Sequence, residues 1–265
     1  MDEALAALQF FTNSKNRVLV FEALSAGVTA SSALAEHSGA SRSTVARTLD
    51  AGESRGWIES EGSHYELTTA GRIMFGEVRR CLETIEGIQT VGEAINLLPE
   101  PARTLDYRAF RDAAVISGTP ANPTEPFDHV AERIRSADRV RTLAWTGVPR
   151  LTKLIDEQAL AGQLDCEAVM QADFFQTLEG RPDAASHWRA PAERGEVWAY
   201  EGTVPLSLHV VDETVVIWLG DPREAEVVVQ GAFVCSDPAV RSWATSLYEE
   251  YRTDAERLDP AGIPQ

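Results

Sequence analysis

The chain has 265 residues, of which 44% are hydrophobic, and this length favours two folded domains over one. No run of about eighteen apolar residues occurs, which excludes a membrane-spanning helix, and the acidic start Met1-Asp2-Glu3 argues against a secretory signal. We therefore expect a soluble, cytoplasmic protein with no membrane partner.

The charge is unusual, because 24 basic residues against 41 acidic ones give a net charge of −17. Only Lys15 and Lys153 are lysines, so arginine supplies nearly all of the positive charge. An acidic, lysine-poor composition is typical of proteins kept soluble in concentrated salt, where the Debye length falls to about 3 Å. An ordinary acidic protein is the alternative. Under salt adaptation the acidity does not exclude DNA binding, although it weakens long-range attraction to phosphate.

The three cysteines, Cys81, Cys166 and Cys235, lie far apart and have no neighbours at a metal-binding spacing. We expect them to be reduced and to act as small buried hydrophobic residues. Neither a nucleotide-binding glycine loop nor a nucleophile elbow is present. The sequence therefore predicts no metal and no cofactor.

The pattern near the N-terminus predicts two helices, then a short alanine-rich helix over residues 29–37, a turn at 38–40 and a further helix that opens on Ser41. Val45 and Leu49 lie four residues apart on one face of this last helix. The opposite face is short, polar and basic, which suits the major groove of DNA. Five residues of this helix are predicted to contact DNA: Ser41, Arg42, Ser43, Thr44 and Arg47.

A β-hairpin is predicted after this helix, with strands at 57–60 and 64–67 joined by a turn at Glu61-Gly62. Its tip would lie beside the minor groove or the DNA backbone, where Ser63 and His64 could donate to phosphate. Gly52 costs a helix about 1 kcal/mol relative to alanine, so we expect the preceding helix to end or bend there.

Residues 14–72 resemble the winged helix-turn-helix of MarR, IclR and related archaeal regulators. The resemblance rests on Ser-Arg-Ser-Thr-Val-x-Arg-x-Leu from Ser41, on Arg-Gly-Trp-Ile from Arg55, and on Tyr-x-Leu-Thr-x-x-Gly-Arg from Tyr65. It implies double-stranded DNA as the partner and, with the acidic composition, a haloarchaeal source.

A long helix is predicted from Ala70 to about Leu98, since apolar residues recur at spacings of three and four. Such a stripe favours pairing with its twin in a homodimer, and packing on the second domain of the same chain is the alternative. Pro99 and Pro101 break the pattern. The predicted organisation is a DNA-binding domain (1–68), a linker helix (69–99), an α/β effector domain (100–258) and a disordered tail (259–265).

The second half alternates strands and helices, which predicts an α/β domain with a mixed sheet, including a strand over 226–234. It resembles the middle domain of methanogenesis regulators and, more distantly, TrmB-type sugar sensors. The resemblance rests on domain order and on Glu-Val-Trp-x-Tyr from Glu196, followed by Val-Pro-Leu-Ser-Leu-His-Val-Val-Asp-Glu-Thr-Val from Val204. It implies a phospholipase-D-like fold used for sensing.

Four residues are candidates for binding a small-molecule effector: Trp145, Trp198, Tyr200 and His209. Trp145 follows a strand at the end where open α/β sheets bind ligands, and His209 lies within a strand. Core packing is the competing interpretation for each of them. Neither lysine has a histidine two places before it, so hydrolysis of the phospholipase type is excluded.

The favoured hypothesis is a homodimeric transcriptional regulator whose C-terminal domain senses a small molecule and modulates DNA binding. One alternative keeps the DNA-binding half but gives the C-terminal domain only dimerisation or a protein partner. A second alternative, an enzyme domain fused to a DNA-binding domain, lacks a nucleophile and base at any motif spacing. We therefore expect no enzymatic activity.

Overall fold

A computed structural model of the chain describes residues 1–220 and 229–264. It contains two compact units, Met1–Glu83 and Thr84–Gln265. The division falls inside a long helix, whereas the sequence placed the start of the second domain after Pro99. Within the described residues, no helix combines the length and the apolar character that crossing a bilayer requires.

The first unit consists of helices followed by a hairpin. Its elements are α1 (Asp2–Thr12), α2 (Lys15–Ser25), α3 (Ser31–Ser38), α4 (Arg42–Glu53), β1 (Ile58–Glu61), β2 (His64–Leu67) and the start of α5 (Thr69–Val91). The predicted order of elements is confirmed. The predicted hairpin turn is wrong by one residue, because Glu61 pairs with His64 and leaves Gly62-Ser63 as the turn.

The turn between α3 and α4 is fixed by local signals. Gly39 has a φ of +63°, a conformation that stops α3 and that residues with a Cβ rarely adopt. Ser41 then caps α4, since its Oγ accepts a hydrogen bond from the Thr44 amide at 3.2 Å. Between them, Ala40 is buried in the core. These contacts set the direction in which α4 leaves the turn.

Helix α4 ends at Glu53, one residue after Gly52, which agrees with the predicted end near this glycine. Gly52 is buried, and a Cβ placed on it would stand 2.5 Å from Cδ1 of Ile58. The glycine therefore allows β1 to approach the helix closely. The cost of about 1 kcal/mol in helix propensity is offset by this packing.

An aromatic cluster forms the core of the first unit, where Phe10, Phe11, Phe21, Trp57 and Phe75 are all buried. Phe11 stacks on Trp57 with ring centroids 5.5 Å apart. Edge-to-face contacts join Phe10 to Phe11 and Phe21. Each buried aromatic side chain contributes a large apolar area, so this cluster stabilises a unit of fewer than one hundred residues.

Helix α5 ends at Val91 rather than at Leu98, because Gly92 takes a φ of +57° and residues Gly92–Leu97 form a 3-10 turn. Thr68 caps its start through a 3.0 Å hydrogen bond from the Gly71 amide to its Oγ1. Three isoleucines of this helix, Ile73, Ile85 and Ile88, are 64%, 44% and 40% exposed.

Within its described residues, the second unit contains four further α-helices and an eight-stranded sheet. The helices are α6 (Glu125–Arg135), α7 (Pro149–Leu160), α8 (Pro182–Arg194) and α9 (Pro238–Asp254). The strands are β3 (Ala114–Ser117), β4 (Arg139–Ala144), β5 (Asp165–Gln171), β6 (Val197–Tyr200), β7 (Leu208–Val211), β8 (Thr214–Leu219), β9 (Gly231–Cys235) and β10 (Glu256–Arg257). The predicted strand over 226–234 begins outside the described residues; its described part corresponds to β9.

The sheet is mixed, as predicted, with strand order β10-β6-β5-β4-β7-β8-β9-β3. Strands β4, β5 and β6 run parallel, and the other pairings are antiparallel. Helix α7 connects β4 to β5, and α8 connects β5 to β6. Parallel neighbours need such crossovers, which is why helices alternate with strands in this part of the sequence.

The two faces of the sheet are covered differently. Leu208 and Val210 of β7 lie on the face that packs against α9, together with Val240 and Tyr248. Val211 points to the opposite face, where it joins the core built with α6 and α7. We call these the α9 face and the α7 face. Because successive side chains of a strand point to opposite faces of the sheet, only side chains on the same face can contact each other.

The C-terminal segment is ordered where it is described, so the predicted disordered tail is wrong for residues 259–264. Pro260–Gly262 form a 3-10 turn and Ile263 is only 3% exposed. Arg189 of α8 donates from Nη2 to the Pro264 carbonyl at 2.9 Å. Residue 265 lies outside the described residues.

Candidate functional site

The outer face of α4 carries the residues predicted to contact DNA. Ser41, Arg42, Ser43 and Arg47 are exposed, and Thr44 is half-buried. Among the described residues, neither Arg42 nor Arg47 has an acidic partner within ion-pair distance. Both guanidinium groups therefore remain available for an anionic partner outside the chain.

Hydrogen bonds within the first turn of α4 order this face. The Oγ of Ser41 lies 3.0 Å from the Oγ of Ser43 and 2.9 Å from Oγ1 of Thr44. Arg47 donates from Nε to the Ser43 carbonyl at 3.2 Å, which holds its side chain along the helix toward the N-terminus. Thr44 therefore helps to cap α4, in addition to its predicted contact with DNA.

The hairpin tip carries Ser63 and His64, and both are exposed. The second strand is tied to the segment before α3, because the Tyr65 amide donates to the Thr29 carbonyl at 2.9 Å. The hairpin is nevertheless acidic. Glu59 and Glu66 stand directly opposite each other across the two strands, an arrangement that is unfavourable without charge screening.

Two other arginines of the first unit are held by the aromatic core. The guanidinium groups of Arg17 and Arg55 lie 4.6 and 4.7 Å from the centroid of the Phe10 ring. Arg17 also donates from Nη1 to the Phe10 carbonyl at 2.8 Å. These contacts fix the positions of the two guanidinium groups, whereas those of Arg42 and Arg47 contact no aromatic ring in the described residues.

A cavity in the second unit lies between the α7 face of the sheet and helices α7 and α8. Its walls include Trp145 and Gly147 after β4, Met170 of β5 and Trp188 of α8. The empty space is about 790 Å³ if the open mouth is counted, and the part open to the centre of a water molecule is about 70 Å³. The cavity extends along β5 from Cys166 to Met170 and reaches the carboxyl end of β4, the end at which such sheets usually bind ligands.

His209 of β7 lines this cavity and is 7% exposed. Its Nδ1 lies 2.9 Å from Oγ1 of Thr142 on the adjacent β4. Burial away from water disfavours the imidazolium, which lowers the pKa of His209 to about 4. The ring is therefore neutral at physiological pH, with one nitrogen engaged by Thr142.

The structure brings together only two of the four predicted effector residues, because Trp145 and His209 line the cavity whereas Trp198 and Tyr200 do not. Trp198 packs on the α9 face, where the Arg252 guanidinium lies 3.3 Å from its ring centroid. Tyr200 contacts Tyr251 of α9 with ring centroids 4.8 Å apart. Val197, their neighbour on β6, lines the cavity instead.

The cavity is also lined by residues that were not predicted from the sequence to bind an effector. Trp218 of β8 and Trp188 of α8 are both buried there, and the Trp218 ring meets His209 edge-to-face at 6.0 Å. Ser207, two residues before His209, also lines the cavity. The sequence did offer a signal for Ser207, since residues two apart in an extended segment point to the same side, although Ser207 itself precedes β7.

A charged cluster borders the cavity. Arg194 donates from Nη2 to Oδ1 of Asp156 at 3.1 Å and from Nε to Oε1 of Glu196 at 2.9 Å. Cys166 lies 3.4 Å from Oε2 of Glu196, and burial together with this carboxylate raises the pKa of its thiol to about 12. The thiol is therefore protonated and unreactive at neutral pH.

Within the described residues, no three acidic, histidine or cysteine side chains are arranged to hold a metal ion. Cys166 and Cys235 are buried, as expected, but Cys81 is exposed on α5. That part of the cysteine prediction is wrong, because Cys81 lies on the same side of α5 as the exposed isoleucines.

Comparison with known proteins gives a match for each half of the chain. Residues 5–90 match the family described as the HVO_A0261 N-terminal domain. Residues 123–254 match the middle domain of the methanogenesis regulatory protein FilR1, so the predicted resemblance to methanogenesis regulators is confirmed. No curated protein matches the sequence.

Solved structures with similar folds are distant in sequence. TrmBL2, an archaeal chromatin protein, is 15% identical with a TM-score of 0.42, over 96% of this chain and 99% of that one. NucT from Helicobacter pylori is 11% identical with a TM-score of 0.45, over 56% of this chain and 99% of that one. Nuc from Salmonella typhimurium, a phospholipase D family member, is 15% identical with a TM-score of 0.43 and the same two coverages.

Proposed function

We propose that the protein is a DNA-binding transcriptional regulator whose first unit is a winged helix-turn-helix. The observation that carries this proposal is the outer face of α4, where two arginines without acidic partners flank short polar side chains. A face of this kind allows close approach to base edges and phosphates. The match of residues 123–254 to part of a regulatory protein supports the same function.

In this proposal α3 and α4 are the two helices of the motif, and α4 is the recognition helix. Gly39 and the Ser41 cap set the angle between them, and the hairpin of β1 and β2 is the wing. Because the hairpin is acidic, we assign Ser63 and His64 a minor, backbone-positioning role. Specificity then depends on Arg42 and Arg47.

The test is DNA binding by single alanine variants at Arg42 and Arg47. Each substitution is expected to cost about 1 to 3 kcal/mol, or roughly 5- to 150-fold in affinity, if the arginine contacts a base. The measurement is gel retardation on DNA fragments selected by the wild-type protein, in matched high salt. Arg135→Ala is the control, since it removes the same charge from an exposed position in the second unit. Equal binding by all three variants would refute the assignment of α4.

We further propose that the regulator is a homodimer that pairs through α5. Ile73, Ile85 and Ile88 are exposed and fall within about 120° of arc on this helix, at 3.6 residues per turn. Apolar side chains exposed along one helix face favour burial against a partner. Two recognition helices related by a two-fold axis would then meet the major groove about 34 Å apart.

Dimerisation is testable with Ile88→Glu. Burying a charge in place of an isoleucine is expected to weaken the dimer at least about 10-fold, since burial of such a side chain contributes about 1.5 to 3 kcal/mol. Light scattering during size-exclusion chromatography over a concentration series measures the effect. Gln89→Glu adds the same charge at the neighbouring exposed position and is expected to leave the dimer intact. Unchanged assembly of both variants would exclude α5 as the interface.

For the second unit we propose that the cavity near Trp145 and His209 binds a small-molecule effector that modulates DNA binding. A cavity with aromatic walls and little exposed polar surface supports this role. The alternative, a ligand-free unit that serves only assembly or a protein partner, predicts that no compound enters the cavity. We propose no catalytic role, because the sequence has no nucleophile and base at any motif spacing and the buried Cys166 thiol is protonated.

A further inference from the structure

The chemistry of the cavity lining restricts the class of effector. We propose that the cavity takes a small, neutral, single-ring compound that carries a hydroxyl group, and that this hydroxyl hydrogen-bonds to Ser207 and His209. The inference deepens the proposed sensing function and rests on it, because the same cavity is used. It depends on five properties of the cavity: an unpartnered hydroxyl, an available imidazole nitrogen, aromatic walls, small size and local charge.

Ser207 supplies the first argument. Two buried polar side-chain atoms in the described residues have no hydrogen-bond partner, Oε1 of Gln158 and Oγ of Ser207, and only Ser207 lines the cavity. Ser207 is 6% exposed. A buried hydroxyl without a partner destabilises the folded protein, so this hydroxyl requires a partner from outside the chain, either a water molecule or a bound compound. Since no protein atom holds it, the hydroxyl is free to turn toward a bound compound.

His209 supplies the second argument, because it lies two residues after Ser207 and both residues line the cavity. Thr142 engages its Nδ1, and no described residue hydrogen-bonds to its Nε2. A neutral imidazole offers one donor or one acceptor at this nitrogen, depending on the tautomer. A hydroxyl group is both donor and acceptor, so it satisfies Ser207 and either tautomer of His209 together.

The walls favour a flat ring. Trp145, Trp188 and Trp218 all line the cavity. Trp188 is held by an edge-to-face contact with Phe174 at 5.4 Å, and Trp218 is stacked on Phe127 at 5.1 Å. Rings fixed in this way present rigid aromatic surfaces, against which another ring packs with little loss of conformational freedom. Thr152 adds no free donor, because its hydroxyl already donates to the Val148 carbonyl at 3.2 Å.

Size and charge narrow the class further. The 70 Å³ open to water centres corresponds to roughly five water molecules, which suits one ring rather than a nucleotide or a sugar phosphate. At the border of the cavity, Arg194 is shared between two carboxylates, those of Asp156 and Glu196. This cluster has a net negative charge, so a carboxylate on the compound would be repelled.

The experiment measures binding of three probes to the full-length protein by tryptophan fluorescence. The probes are phenol, toluene, which lacks the hydroxyl, and benzoate, which is charged. Phenol is expected to bind about 2- to 10-fold more tightly than toluene, because one extra hydrogen bond forms. Ser207→Ala is expected to abolish this difference while leaving toluene binding unchanged. Because this variant removes an unsatisfied group, it is expected to fold, and Ser186→Ala on the exposed side of α8 is the matched control.

Three results would overturn the inference: tighter binding of benzoate than of phenol, no binding of phenol, or an unchanged preference for phenol in Ser207→Ala. Retardation of the selected DNA is measured in the same titrations. If phenol binds as predicted but the affinity for DNA does not change, the ligand class stands and the proposed sensing function fails. If benzoate alone binds and alters the affinity for DNA, sensing stands and the ligand class fails.

Discussion

Gly71→Ala is expected to destabilise the first unit by about 3 kcal/mol or more. A Cβ at Gly71 would overlap the carbonyl oxygen of Trp57 and stand 2.8 Å from its carbonyl carbon. This carbonyl is backbone and is already held by the Thr68 amide at 3.0 Å, so it has little freedom to move. Overpacking of this kind typically costs 1 to 3 kcal/mol, and more when backbone must shift. The displaced segment connects α4 to β1, so DNA binding is expected to fall as well.

Two other glycines of α5 provide controls for this prediction. Gly76 has no atom within 4 Å of an added Cβ, so Gly76→Ala is expected to stabilise the helix by about 0.5 to 1 kcal/mol. A Cβ at Gly87 would overlap the Tyr107 carbonyl oxygen, so Gly87→Ala is expected to destabilise the second unit. Amide hydrogen exchange, measured on individual peptides of each variant, shows in which of the two units protection is lost. Similar behaviour of Gly71→Ala and Gly76→Ala would contradict the close packing of α5 on Trp57.

Acidification is expected to destabilise the second unit through His209 by up to about 3 kcal/mol. Burial lowers the pKa of this histidine from 6.5 to about 4, so between these values the unfolded chain binds a proton that the folded protein does not. The stabilisation is fully present above pH 6.5. It is lost as the pH falls toward 4, because protonation favours the unfolded state.

The contribution of His209 is separated from that of the many acidic residues by comparison with His209→Asn. Chemical unfolding is measured at several pH values between 7.5 and 4. The variant loses the Thr142 hydrogen bond at every pH, so the absolute stabilities differ, but the difference between the two proteins is expected to shrink as the pH falls. His64→Asn, at an exposed position, is expected to follow wild type throughout. A constant difference between wild type and His209→Asn would contradict the neutral, buried state of His209.

Local signals in the sequence were sufficient for the first unit. The cap at Ser41, the positive φ of Gly39 and the alternation of the hairpin each act within a few residues, so the order of elements and the exposed face of α4 could be predicted. The close approach of Ile58 to Gly52 could not be predicted, because helix propensity describes an isolated helix and this contact forms only in the folded unit. The packing of Arg17 and Arg55 against Phe10 likewise depends on the folded aromatic core.

For the second unit, the sequence by itself determined the mixed α/β class and the position of Trp145 at the end of β4. Only the tertiary structure decided which aromatic residues face the cavity. Trp198 and Trp218 both lie in strands, but Trp198 packs toward α9 and Trp218 toward α6 and α7. The side on which each strand points depends on its register with neighbours distant in sequence, since a shift of one residue exchanges the two faces. The unpartnered hydroxyl of Ser207 is likewise a property of that assembled face, because hydrogen-bond satisfaction depends on residues brought together only by folding.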